Sequence, residues 1–95
     1  MTYKLVFYED ALKEWRKLDG TVKTQFKIKL EERLQNPRVP SAKLRDSTDR
    51  YKIKLKSIGY RLVYEVREKE VVVAVVAIGK RNRNEVYLIA SKREI

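Results

Sequence analysis

From Val71 to Ile78 the chain runs Val-Val-Val-Ala-Val-Val-Ala-Ile, eight residues without a polar side chain. Successive side chains of a strand point to opposite faces, so this run is apolar on both, as the central strand of a sheet requires. It is the longest apolar run in the chain, and far short of the ~20 residues that a membrane-spanning helix needs. The rest of the sequence must therefore supply this strand with partners.

The stretch just upstream is one. Tyr51, Ile53 and Leu55 alternate with Lys52, Lys54 and Lys56, and after Ser57-Ile58-Gly59 the pattern returns as Tyr60, Leu62, Tyr64 and Val66 against Arg61, Val63 and Glu65. This is a β-hairpin with one greasy and one cationic face. With Ser57-Ile58 as a two-residue turn, Leu55 pairs with Tyr60, Ile53 with Leu62, and Lys54 with Arg61. A one-residue slip would invert a strand, so the register is specified. It also sets like charges directly opposite, roughly 5 Å apart at Cβ, which weakens a sheet. A chain that accepts such repulsion has a use for it, and holding an anion is that use.

Elsewhere the organisation is plain. Tyr3 to Phe7 is a short strand. Glu9 or Asp10 caps a helix bearing Leu12, Trp15 and Leu18, which stops at Asp19-Gly20. Thr21 caps a second helix with Val22, Phe26, Leu30 and Leu34 at four-residue spacing, ended by Asn36-Pro37. The Trp15 and Phe26 stripes read as core. Arg38 to Asp49 is a connecting loop, and Arg67-Glu68-Lys69-Glu70 a charged turn. Asn84 caps a short C-terminal helix with Glu85 and Tyr87 in its first turn and Lys92-Arg93 in its last, matching the helix dipole. The predicted order is β-α-α-β-β-β-α in one domain spanning 1–95. This is an α+β fold with a mostly antiparallel sheet and a helical hairpin across one face.

Composition narrows the chemistry. The chain has no cysteine, which excludes disulfides and thiolate chemistry and fits a reducing cytoplasm. It has no histidine either, so both the commonest metal ligand and the commonest general base near neutral pH are missing. Neither a metal nor any other cofactor is expected. There is no signal-peptide pattern and no membrane association is expected. Lys and Arg number 23 against 13 Asp and Glu, a net charge of +10 that favours polyanions. The positive charge is clustered: from Arg50 to Arg61 there are five basic residues and no acidic one.

An RNA phosphodiester fits this cluster. Cleavage by the RNA's own 2′-OH needs a base for that proton, charge to stabilise the phosphorane and help for the departing 5′-oxygen. Lysine serves as the base only if its pKa, ordinarily about 10.4, is lowered. A like charge ~5 Å away at an effective dielectric of ~20 costs about 3 kcal/mol, on the order of two pKa units. Arg61 and Arg81 can thus bring Lys54 or Lys52 towards neutrality while stabilising the phosphorane. Arginine holds its proton firmly, so Arg81 is best suited to clamping phosphate, with donation to the leaving oxygen as a second possibility. Tyr87 can stack on a base or hydrogen-bond the 2′-OH. Arg45, Lys56, Lys80 and Arg83 are candidate RNA contacts outside the chemistry. Taken singly, alternating lysines are more often a solvated face or edge protection, and a tyrosine at a helix start a packing residue.

Several segments together resemble the RelE family of mRNA interferase toxins from type II toxin–antitoxin pairs, within the wider RelE/ParE superfamily. They are Ala11 to Leu18, Asn36-Pro37-Arg38, Lys43-Leu44-Arg45, Tyr51 to Leu55, Gly59 to Tyr64, and Gly79-Lys80-Arg81 with Tyr87. The resemblance implies a RelE-like, microbial-RNase-like fold. It implies entry into the ribosomal A site and cutting of mRNA by 2′-OH attack, leaving a cyclic phosphate. Lys52 or Lys54 would be the base, Arg61 would steady the phosphate, Arg81 would act as acid or stabiliser, and Tyr87 would orient the substrate. The implied partners are the ribosome with its rRNA and A-site mRNA, and an acidic-tailed cognate antitoxin. That antitoxin would wrap the toxin, displace or cover its C-terminal helix and, in complex with it, reach operator DNA to repress their shared operon. Asp46, where the family often has glycine, departs from the pattern. Two other readings compete: a ParE-like toxin that inhibits DNA gyrase by binding, and a non-catalytic RNA- or rRNA-binding module.

Overall fold

The apolar run becomes β4 (Val72–Lys80), which lies inside a four-stranded sheet of order β1-β4-β3-β2. This is a computed structural model, and it describes residues 2–45, 47–80 and 85–93. β1 (Lys4–Phe7) runs parallel to β4, whereas β3 (Tyr60–Arg67) pairs antiparallel with both β4 and β2 (Arg50–Leu55). With α1 (Glu9–Arg16), α2 (Gly20–Gln35) and α3 (Glu85–Ser91) the expected order β-α-α-β-β-β-α holds. Every residue from Val73 to Ile78 is buried, as a strand covered on both faces must be.

The hairpin has the register that alternation requires, with Leu55 opposite Tyr60, Ile53 opposite Leu62 and Lys54 opposite Arg61. Its turn is wider than expected. Four residues, Lys56 to Gly59, link the strands, and the Gly59 N–H donates to the Leu55 carbonyl at 2.8 Å. Gly59 makes this possible because its φ of 69° lies in the left-handed region that glycine enters without a Cβ clash. At the other end Val71 takes φ 55°, a real outlier for a β-branched residue. Its carbonyl accepts from Lys4 N at 2.9 Å, the bond that begins the β1–β4 ladder.

The helix starts differ from the sequence reading. α1 begins after Tyr8 with no side-chain cap, and Glu9 and Asp10 instead occupy its first turn, where they complement the dipole. Asp19, read as part of a stop, caps α2 by accepting from Val22 N at 3.0 Å, which leaves Thr21 inside the first turn. Lys92 and Arg93 lie just beyond α3 rather than in its last turn. Asn84 and Asp46 lie outside the described residues.

The helical hairpin covers the greasy face. Trp15 bridges Phe7 and Phe26 at ring-centroid distances of 5.4 and 6.5 Å. Tyr64, wholly buried, stacks on Tyr51, accepts from Arg33 Nη1 at 2.9 Å and donates to the Pro37 carbonyl at 2.6 Å. α3 lies over the opposite face, with Val86 and Ala90 buried. No helix among the described residues is long and apolar enough to cross a membrane.

Candidate active site: a cationic cluster around Tyr87

Two neighbouring strands and the last helix converge on one ring. Lys52 comes from β2, Arg61 from β3 and Tyr87 from the first turn of α3. Lys52 Nζ lies 5.8 Å and Arg61 Cζ 5.2 Å from the centroid of the Tyr87 ring, both within cation–π range. Lys54 is directly opposite Arg61 and so presents its ammonium on the same face. Lys52, Arg61 and Tyr87 are half-buried, whereas Lys54 is exposed. A hollow of about 240 Å³ opens beside them, bordered by Lys54, Leu55, Lys56, Gly59, Tyr60 and Arg61.

The close approach of α3 depends on a missing side chain. Gly79 is paired with Arg61, and a Cβ on it would stand 2.9 Å from Val86 Cγ2, nearer than real Cβ contacts come. Only glycine lets Val86 settle there, and Tyr87, the next residue, is thereby brought over Arg61. The Tyr87 hydroxyl is buried, with no well-formed hydrogen bond among the described residues. Burial pushes its pKa up, and nearby Arg61 only partly opposes this. At neutral pH it therefore carries its proton and can donate.

A second set of groups anchors the far end of α3. Arg50 Nε donates to Glu65 Oε2 at 3.1 Å, and Arg67 Nε donates to Oε1 of the same carboxylate at 2.9 Å. The two Nη atoms of Arg50 then donate to the carbonyls of Ala90 and, at 2.7 Å, Arg93. Burial pushes the Glu65 carboxyl up, but the hydrogen bonds from Arg67 and Arg50 outweigh it and hold its pKa below the usual range. The Arg93 side chain binds Glu14 of α1 through both Nη atoms at 2.8 and 3.0 Å, and its Nη1 also donates to the Val76 carbonyl at 2.9 Å. Val76 is the residue skipped where the β3–β4 register shifts.

Of the nine candidate residues, the fold brings Lys52, Lys54, Arg61 and Tyr87 together. Lys56 is exposed at the start of the hairpin loop and borders the same hollow. Lys80 is exposed at the exit of β4, opposite Tyr60 and hence one residue out of phase with Arg61. Arg45 is exposed on the loop after the 3₁₀ turn Pro40–Ala42. Arg81 and Arg83 lie outside the described residues. Sequence reasoning missed Arg50 and Glu65, although the signal was available: the register that opposes Lys54 to Arg61 also opposes Arg50 to Glu65.

Comparison with known proteins gives a consistent set of likenesses. Residues 5–85 match the family described as the ParE toxin of the type II toxin–antitoxin system parDE. The mRNA interferase toxin RelE of Escherichia coli is 58% identical over 93 residues, 98% of each chain. An R81A/R83A mutant of E. coli RelE in the free state superposes with a TM-score of 0.90 at 55% identity, covering all of both chains. RelE in the intact E. coli RelBE toxin–antitoxin complex superposes with a TM-score of 0.82 at 57% identity, over 85% of this chain and 99% of that one.

Proposed function

Since this chain belongs to the RelE group of the ParE toxin family, we propose that it is an endoribonuclease toxin that cuts mRNA in the ribosomal A site and is neutralised by a cognate antitoxin. The observation that carries this reading is the meeting of Lys52, Arg61 and Tyr87 at one ring with Lys54 alongside. The relative named as an mRNA interferase and the solved RelBE complex support the activity class and the antitoxin.

The chemistry follows from the groups. A scissile phosphate held by Arg61, and by Arg81 beyond the end of β4, has its negative charge balanced in the phosphorane. Lys54 or Lys52, in its neutral form, accepts the 2′-OH proton. The 2′-oxygen forms a bond to phosphorus, the bond from phosphorus to the 5′-oxygen breaks, and Arg81 donates to or stabilises that leaving oxygen. The products are a 2′,3′-cyclic phosphate and a 5′-hydroxyl. Tyr87, protonated and within reach of both cations, orients the nucleotide. The site is open and assembled from separate strands, so the ribosome supplies the positioning of a flexible strand, worth several orders of magnitude in rate. Arg45, Lys56, Lys80 and Arg83 contact RNA around it. The toxin acts in the cytoplasm, and with its antitoxin bound it represses their operon.

Primer extension on programmed ribosomes tests this. The protein should produce discrete cuts in A-site codons, and Arg61→Ala or Arg81→Ala should slow cutting a hundredfold or more. Uncut mRNA, or unchanged rates in both variants, refutes it. Family membership also admits gyrase inhibition. Unaltered supercoiling by purified gyrase separates the two readings.

A further inference from the structure

We propose that Arg50 is a positioning residue for this site: held by Glu65, it clamps the C-terminal end of α3 and so keeps Tyr87 between Lys52 and Arg61. The inference rests on the nuclease reading only for its kinetic arm. Its structural arm stands alone.

A seven-residue helix is too short to hold itself together, because nucleation cost dominates at that length. Its order must come from contacts at both ends. At the start these are Val86 over Gly79 and Tyr87 against the two cations. At the end the Ala90 carbonyl accepts only a turn bond from Arg93 N at 3.1 Å, and Arg50 on β2 donates to it and to the Arg93 carbonyl. A guanidinium suits this task because its fixed fork reaches two carbonyls while its Nε stays on a carboxylate, and a cation at a helix C-terminus complements the dipole. Glu65 is in turn fixed by Arg67, while the Tyr8 hydroxyl donates to Glu65 at 3.3 Å and lies 3.3 Å from a guanidinium nitrogen of each arginine. Arg50 is mostly buried, its side chain 14% exposed, so the clamp is shielded from solvent competition. Glu65 and Arg50 are direct cross-strand partners, which ties the clamp to the same two strands that carry Lys52 and Arg61. α3 is thus referenced to the site it completes.

The test uses the whole chain. In Arg50→Ala, hydrogen exchange of the peptide covering 85–93 should accelerate tenfold or more while β3 and β4 keep their protection. Glu65→Gln, a milder change, should move it in the same direction, and Arg50→Lys should restore part of the protection. Arg38→Ala, which breaks the ion pairs to Asp49 and Glu68 away from α3, should leave that peptide unchanged. Cleavage in Arg50→Ala should fall tenfold or more in kcat with little change in KM. In a Tyr87→Ala background the same substitution should add less than twofold. Unchanged exchange in both Arg50→Ala and Glu65→Gln, or fully additive losses with Tyr87→Ala, overturns the proposal. If the parent protein cuts nothing while exchange responds as stated, the nuclease reading fails and the clamp stands.

Discussion

Tyr87 keeps its proton at every pH at which the protein is expected to work, because burial raises its pKa more than Arg61 lowers it. Its protonated form persists to higher pH, so no loss of rate from Tyr87 ionisation should appear below about pH 10. A base must be neutral to accept the proton, so a limb in which cutting rises with pH reports the acting lysine. In Lys54→Ala that limb should vanish, and a limb that persists moves the role to Lys52. Single-turnover rates on programmed ribosomes from pH 6 to 10 decide it. Val71 offers a test without function. Its left-handed backbone costs a β-branched residue on the order of 1 kcal/mol. Val71→Asn, which tolerates that conformation, should raise Tm by roughly 4–8 °C per kcal/mol recovered. An unchanged or lower Tm would show that Val71 packing outweighs the strain.

At the scale of elements, the docking of α3 is the adjustable quantity. Gly79→Ala places a methyl where Val86 now sits, and neither the strand nor the buried side chain can give way cheaply. α3 should loosen, with faster exchange in 85–93 and slower cutting, while the sheet melts within a few degrees of the parent. If the antitoxin displaces α3, the same variant should bind it about tenfold tighter, since ~1.4 kcal/mol of docking no longer opposes binding. An antitoxin that merely covers α3 should bind it more weakly. Titration calorimetry with the purified antitoxin separates them. How much of this was legible in the sequence differs element by element. The hairpin register was fully readable, because alternation over Tyr51 to Leu55 and Tyr60 to Val66 allows one pairing, and the central strand followed from its two apolar faces. The start of α2 was not, because Asp19 and Thr21 are both good caps two residues apart and local preference cannot choose between them. The cluster of Lys52, Lys54 and Arg61 followed from the register. The clamp did not, since Arg50 acts on carbonyls 40 and 43 residues away that only the docking of α3 brings within reach.

At the scale of the molecule the governing quantity is its charge. The described part extends 32 × 26 × 26 Å, and at 0.01 M salt the screening length is about 30 Å, so every charge feels the net excess of +10. At 0.15 M it is about 8 Å, and only neighbours count. Salt should therefore act with opposite signs on folding and on function: Tm should rise by a few degrees between those concentrations, while affinity for ribosomes or RNA falls steeply in a log–log plot. Acid should enlarge the first effect. The pKa of Glu65 is lower folded than unfolded, so its stabilisation is fully present above the unfolded value and is lost as pH falls through the folded one. As acid protonates the carboxylates, the 23 cations lose the 13 anions that partly balance them. Thermal melts at pH 7 and pH 3.5, each at low and moderate salt, give the comparison. Stability should drop with pH, and salt should recover more of it at pH 3.5 than at pH 7. A salt effect that is equal at both values would mean that the fold is indifferent to its own charge. The like-charge pair Lys54–Arg61 could then no longer be read as a cost carried for the sake of the site.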